Sequence, residues 1–318
     1  MTATTFTRLP GRGVLALDGA DVIEFLQNLI SNDVERVGAN ISIYALLLTA
    51  QGKFLHDFFV AQLPDGRLLL DCERDRIDDL ERRLTLYRLR ADVTFTDLSN
   101  QYAVVAAFGN TALAALGLST DPGNTVTIGD GVAMTDPRLE AMGARIIVPV
   151  TDLPGALTDQ GFAPGEVAEY DAMRLSNGVP DSSADMLVDK GFPLESGLDH
   201  LNAIDFTKGC YVGQELTART HYRGTIRKRL FRVDVDGPTP GPGTPVTLGD
   251  KDAGVMRSGQ GGIAMAMLRM ELVAQSQKSS EAFIAGDARL IAVAQPWFGE
   301  DTPDDSGEKT TAVPADQS

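Results

Sequence analysis

Phe206-Thr207-Lys208-Gly209-Cys210-Tyr211-Val212-Gly213-Gln214-Glu215 is the stretch on which the reading of this chain turns. It holds one of only two cysteines in 318 residues, the other being Cys72. Structural cysteine usually behaves as a small buried hydrophobe. Cys210 instead stands two positions after a lysine, between glycines that let the backbone bend tightly, and ahead of a polar Gln-Glu pair. Thiolate rather than thiol is the nucleophile and the metal ligand, and its population rises beside cations and at helix N-termini. Lys208 supplies a cation, and a helix starting near Gly213 would aim free N–H groups at the sulfur. The plainer reading, a small residue filling a turn beside a solvated lysine, stays open on these residues alone.

The surrounding charge is unusual. From Lys208 to Arg232 there are seven Lys/Arg against one acid, Glu215, in a chain of formal charge -16. The overall field argues against nucleic acid or an anionic membrane as partner. No apolar run approaches the roughly 20 residues that span a bilayer. Two distant cysteines give no disulfide framework and suggest a reducing compartment. Met1 to Pro10 lacks the pattern of a signal peptide, so a soluble, cytoplasmic protein is expected.

Working outward, the N-terminal half alternates strand and helix patterns, which suggests an α+β or mixed architecture. Val22 to Ile30 has helical apolar spacing after an acidic start. Ile41–Thr49 and Phe54–Leu63 flank a Gln51-Gly52-Lys53 turn and predict a hairpin, followed by a strand over Arg67–Cys72. Arg74 to Leu89 predicts an amphipathic helix with Ile77, Leu80, Leu84 and Tyr87 inward. Strands are expected at Val93–Phe95 and Tyr102–Phe108, and helices at Val167–Leu175 and Gly213–Thr220, with loop and short ordered pieces over 181–207. From Thr225 to Phe298, short apolar segments punctuated by glycine and proline favour a small antiparallel β-barrel. The polar, acidic stretch 299–318 is expected to be a disordered tail.

Structural zinc and iron–sulfur sites generally take about four N or S ligands. Two cysteines and three histidines (His56, His200, His221) without short paired spacing do not make such a site. A site completed by a second protein, with Cys210 giving one ligand, remains open, as does a Cys–His pair with His200 or His221. Arg219, Arg223, Arg227 and Arg229 suit a polycarboxylate ligand, an acidic partner or plain solvent equally well. Asp57, after His56 on the predicted hairpin, reads either as a base or heterocycle partner or as a hairpin acid facing Lys53 or water.

Three motifs together carry a resemblance. Arg174-Leu175-Ser176-Asn177-Gly178-Val179-Pro180, Phe192-Pro193-Leu194-Glu195 and the Phe206–Glu215 stretch, with Arg219 and Arg229-Leu230 beyond, closely resemble the YgfZ family of folate-binding proteins in iron–sulfur cluster maturation. Thr217-Ala218-Arg219-Thr220-His221-Tyr222-Arg223-Gly224 resembles its mitochondrial Iba-type branch. The similarity runs from about Leu15 to Trp297 and leaves out the tail. It implies a three-domain aminomethyltransferase-like (GcvT-like) fold: residues 1–224 as a folate-binding region of two interleaved subdomains, and 225–298 as a C-terminal β-barrel.

The function implied is a tetrahydrofolate-binding factor that assists assembly or repair of iron–sulfur clusters, accessory rather than catalytic. By the same resemblance Cys210 is the functional thiol, sharing a [2Fe-2S] cluster with an A-type carrier protein, and iron–sulfur enzymes are the clients. Lys208 would keep Cys210 ionised and Gln214-Glu215 would order the loop. Asp57, Arg174, Arg219, Arg223, Tyr211, Gln214 and Glu215 form the expected folate- or partner-binding set. One departure is informative: where transferases carry a catalytic acid on the hairpin strand, this chain reads His56. The alternative is a folate-dependent aminomethyltransferase-like one-carbon enzyme with Asp57 replacing that acid. A third reading is a thiol enzyme using Cys210 and His221.

Overall fold

The computed structural model describes residues 4–153 and 155–298; the tail expected at 299–318 lies outside the described residues. β1 (Thr5–Arg8) begins one sheet. The chain then leaves it to build a second sheet from β2 (Arg12–Asp18), β3 (Ile43–Leu48), β4 (Phe54–Gln62), β5 (Leu68–Glu73) and β6 (Thr94–Asp97), in the order β3-β4-β5-β2-β6. It returns to the first with β7 (Tyr102–Phe108), β8 (Thr125–Ile128), β9 (Gly131–Thr135), β10 (Ala144–Pro149) and β11 (Ala163–Pro164), giving β11-β1-β7-β10-β9-β8. The expected interleaving of two subdomains is this departure and return.

β4 shows why the expected hairpin reads as a nearly unbroken apolar run. Phe59 and Ala61 pack into the core shared by the two sheets, while Phe58 and Val60 face helices α1 (Val22–Gln27) and α2 (Ile77–Arg88). A strand covered on both faces keeps no polar alternation. Helix α2 buries Ile77, Leu80 and Leu84 as expected, but Tyr87 is exposed, because the last helical turn runs past the edge of the core.

The shared core is not wholly apolar. Arg12 on β2 donates from Nε to Asp71 Oδ1 at 2.7 Å and from Nη1 to Ser182 Oγ at 3.0 Å. Arg145 on β10 reaches the other oxygen of Asp71 from the opposite sheet. Arg138 forms a two-pronged pair with Asp136 at 3.0 and 2.8 Å and donates to the Tyr170 hydroxyl. All three guanidinium groups surround the Phe59 ring, at 5.7, 3.9 and 4.9 Å from its centre for Arg12, Arg145 and Arg138. Burial alone would raise the Asp71 carboxyl, but Arg12 and Arg145 outweigh it and hold it below its ordinary value.

Helix α3 (Val167–Ser176), the loop after it and helix α4 (Gln214–Arg223) lead to a closed six-stranded barrel. Its strands are β12 (Lys228–Asp236), β13 (Pro245–Leu248), β14 (Lys251–Gln260), β15 (Ile263–Arg269), β16 (Phe283–Ala285) and β17 (Ala288–Val293), in the order β12-β15-β14-β13-β16-β17. Helix α5 (Met270–Ser279), inserted after β15, is absent from the sequence expectation; it buries Leu272 and Val273 against the barrel core.

Arg174 ties the barrel to the sheets. Its guanidinium donates to Asp171 at 3.0 Å, Asp185 at 3.2 Å and Ser258 Oγ on β14 at 3.1 Å, and only 5% of the residue is exposed. The expected role in binding folate or a partner at the surface is thereby corrected: every arm of the fork is already engaged inside the protein. Replacing Arg174 with Met strands the buried Asp185 carboxylate. Urea denaturation should report a loss of about 3–5 kcal/mol, and a loss under about 1 kcal/mol would contradict this role.

Candidate functional site: the Cys210 loop

The Cys210 loop is built from its two ends. At the upstream end Asp205 folds the backbone: its Oδ1 accepts from the Thr207 and Lys208 amides at 2.7 and 3.1 Å and from the Thr207 hydroxyl at 2.6 Å. Burial would raise this carboxyl, but those hydrogen bonds prevail and lower it. At the downstream end Gly213 has φ +87°, and a Cβ there would sit 2.5 Å from the Thr49 carbonyl. Gly52, the turn of the β3–β4 hairpin, has φ +70° and would meet Gly213 O at 3.1 Å if it carried a Cβ. Two glycines therefore let the hairpin turn and the cysteine loop pack backbone to backbone.

Lys208 lies between these ends and does not act as the expected counter-cation of the thiol. Its ammonium donates to the carbonyls of Gln27, Ile30 and Asn32, at 2.9, 2.7 and 2.8 Å. These are carbonyls in and just after the end of α1, where a cation is stabilising. All three donors are used there, so Lys208 positions the loop. Burial draws its pKa down to about 8, with Asp33, Asp205 and Glu35 pulling the other way. Tyr211, buried behind the loop, carries its ring 5.3 Å from that ammonium, and burial pushes its hydroxyl up to about 12.

Cys210 is exposed, whereas Cys72 lies in the core, where burial raises its thiol far above the ordinary range. Helix α4 begins four residues after Cys210, and the Gln214 side chain donates back to the Gly209 carbonyl at 3.3 Å, which ties the helix to the loop. Glu215 instead pairs with Arg219 at 2.7 Å, and Arg223 is exposed farther along the helix. The structure thus brings Lys208, Cys210, Tyr211, Gln214, Glu215, Arg219 and Arg223 onto one loop and helix.

Asp57 is elsewhere. Facing the shared core, it accepts from Tyr44 at 2.9 Å and from Ser182 at 2.7 Å. That corrects the picture of a hairpin acid facing Lys53 or water, and it separates Asp57 from the Cys210 surface. His221 turns toward Asp199 (Nδ1 to Oδ2, 3.6 Å) and stacks on Phe206 with ring centres 3.8 Å apart.

A cleft of about 1100 Å3 opens where the 187–195 loop, the end of α4 and the barrel meet. Leu187, Phe192, Ile226 and Met267 form apolar wall, and Arg227, Lys228, Arg257 and Arg269 bring cations to it. Arg257 Nε is buried without a hydrogen-bond partner, and burial lowers this guanidinium's pKa against the pull of Asp185. Nothing in the local sequence singles out Arg257. Arg145, by contrast, is the lone charge of its apolar strand, and Asp71 follows three leucines in β5, a legible sign of a buried pair.

The geometry defines an aminomethyltransferase-like scaffold that displays one accessible thiol. Residues 12–125 match the family described as GCVT N-terminal domain, and residues 227–300 match CAF17, C-terminal beta-barrel domain. The chain is 34% identical to the mitochondrial iron–sulfur cluster assembly factor IBA57 of Mus musculus, over 93% of this chain and 86% of that protein. It is 34% identical to the Homo sapiens protein of the same name (84% and 78% covered) and 30% identical to the Mycosarcoma maydis homologue (98% and 86%). The crystal structure of glycine cleavage system aminomethyltransferase T from Bartonella henselae has the same fold, with a TM-score of 0.74 at 17% identity over 93% of this chain and 86% of that one. The chain belongs to the IBA57 family of iron–sulfur cluster assembly factors.

The expected cytoplasmic location is corrected by these relatives, all named as mitochondrial. Net charge and cysteine count cannot separate two aqueous, reducing compartments.

His56 occupies the position where the resemblance places a transferase acid. It is buried, its Nε2 is 2.9 Å from Asp79 on α2, and burial together with Arg76 lowers its pKa to about 4. An unfolded histidine takes up its proton near pH 6.5, so this stabilising contribution is complete above that pH and is lost as pH falls toward 4. Denaturation at pH 7 and pH 4.5 should show wild type losing about 2–3 kcal/mol more than His56→Gln over that window. Equal losses would refute it.

Proposed function

We propose that this chain assists the assembly or repair of iron–sulfur clusters by lending Cys210 as one ligand of a [2Fe-2S] cluster whose other ligands lie on an A-type carrier protein. The cluster is cargo, and iron–sulfur enzymes are the clients. The observation that carries this reading is an exposed cysteine on a loop held by Lys208, Asp205 and Gly213. A ligand thiolate must be accessible and positioned, and the clamp supplies both without surrounding the sulfur. Among the described residues no group of three or more His, Cys, Asp or Glu is arranged to hold a metal ion, which favours shared coordination.

A reduced folate fits the second part of the reading. Folate has a flat heteroaromatic end and a glutamyl end with carboxylates. The barrel cleft has matching apolar walls and cations, including the unpartnered Arg257 Nε. Arg257 with Arg227 would hold the carboxylates, while Leu187 and Phe192 would cover the flat end. Lys228 and Arg269 are paired with Glu195 and Asp252 of the same cleft. One-carbon transfer is disfavoured by His56, which is buried against Asp79 in place of the acid.

Anaerobic mixing with a cluster-loaded A-type carrier should change the cluster's visible absorption spectrum with wild type and leave it unchanged with Cys210→Ser. That variant should also fail to rescue a strain lacking the gene, although it folds normally. The same spectral change with the serine variant would remove the shared-thiol reading. Tetrahydrofolate titration should show roughly tenfold weaker binding to Arg257→Gln. Unchanged affinity would exclude the cleft as the folate site.

A further inference from the structure

Helix α4 carries a surface that neither the thiol nor the cleft uses. Its exposed residues are Glu215, Arg219, Tyr222 and Arg223. They follow the i, i+4, i+7, i+8 spacing that places side chains in one stripe along a helix. The stripe starts beside the cysteine loop, to which Gln214 binds the helix through Gly209. Ten residues make the helix about 15 Å long, so its far end remains within the footprint of a protein seated at Cys210.

The far end is rigid and aromatic. Tyr222 is 62% exposed, yet its ring lies edge-on to His221 at 4.8 Å and to Phe206 at 6.0 Å. His221 is stacked on Phe206, only four residues before Cys210, with Asp199 behind its ring. A large aromatic held this way costs little entropy on binding, and tyrosine and arginine are enriched among the residues that dominate interface energies. Arg219 is paired only with the 84% exposed Glu215, which solvent weakens, so it can exchange that partner.

We infer that the Arg219–Tyr222–Arg223 stripe is the docking surface for the cluster-bearing carrier, and that the carrier's contacting face is acidic around an apolar pocket for Tyr222. The inference rests on the shared-thiol reading and gives it a recognition element. Charge decides the occupant: in a chain of formal charge -16, most of the surface repels an acidic protein, while the stripe carries Arg219 and Arg223 against the single acid Glu215. An acidic face would be steered to this side and orient its cluster at Cys210.

The test separates docking from ligation by titrating the full chain with the carrier in its cluster-free form. Cys210→Ser should bind it as wild type does. Tyr222→Ala and the double variant Arg219→Glu/Arg223→Glu should each weaken binding by about tenfold or more, with the fold retained by circular dichroism. Raising the salt concentration should weaken wild type more than the double variant. Wild-type affinity in both stripe variants, or a loss seen only toward a single-stranded RNA oligonucleotide, overturns the docking surface. A cluster spectrum that still requires Cys210 would then leave the shared thiol standing. Stripe-dependent binding with a Cys210-independent spectrum would do the reverse, and no binding of the cluster-free carrier by wild type would refute the docking surface.

Discussion

Charges can remain buried between two sheets only if each finds a partner, and the three guanidinium groups around Phe59 set that condition at the centre of this protein. Asp71 is held by Arg12 from its own sheet and by Arg145 from the opposite one, so one carboxylate fixes how the two sheets face each other. Arg12 continues to Ser182, whose hydroxyl donates to Asp57, and the nearby Asp185 receives Arg174. Through Ser258 that chain of contacts reaches the barrel. Such pairs add little net stability compared with apolar packing, but removing one partner is costly. Their effect here is to hold three sheets in a single arrangement.

The cysteine loop is a second consequence of that arrangement. It crosses between α1 and the β3–β4 turn, and its shape is imposed from both sides. Lys208 occupies the last carbonyl of helix α1 and two in the turn just after it, and Gly213 lies against Thr49 at a distance no other residue allows. A thiol on such a loop can be exposed without being mobile, which suits a ligand that must meet a partner's metal. The stripe on α4 grows from the same support, since the helix begins where the loop ends.

Much of this was legible in the residues, and the misses have physical causes. Strands over 43–48, 54–62 and 68–73 announced themselves because their apolar runs are bounded by glycine turns. The barrel was legible from its short segments, yet its helix at Met270–Ser279 was not, because a brief amphipathic turn among strands has too few apolar positions to show its period. Sequence neighbours pair Lys208 with the thiol, while in the fold its ammonium binds carbonyls at the end of α1. Arg174 and Asp57 matched a binding pattern but are held inside the core.

The sequence by itself determined the β3–β4 hairpin, the mixed N-terminal half and the C-terminal barrel, because periodicity and turn residues are local properties of the chain. The interleaving of the sheets came only from its resemblance to a known family, and Cys210 stood out by its Lys-Gly-Cys-Tyr-Val-Gly-Gln-Glu setting. Tertiary structure alone decided which charges are buried, where Lys208 binds, and that Phe206, His221 and Tyr222 form one ridge near the thiol. The reason is that burial and partnership belong to pairs of residues often more than a hundred positions apart. A side chain's type states what it can bind, and only the fold supplies the partner.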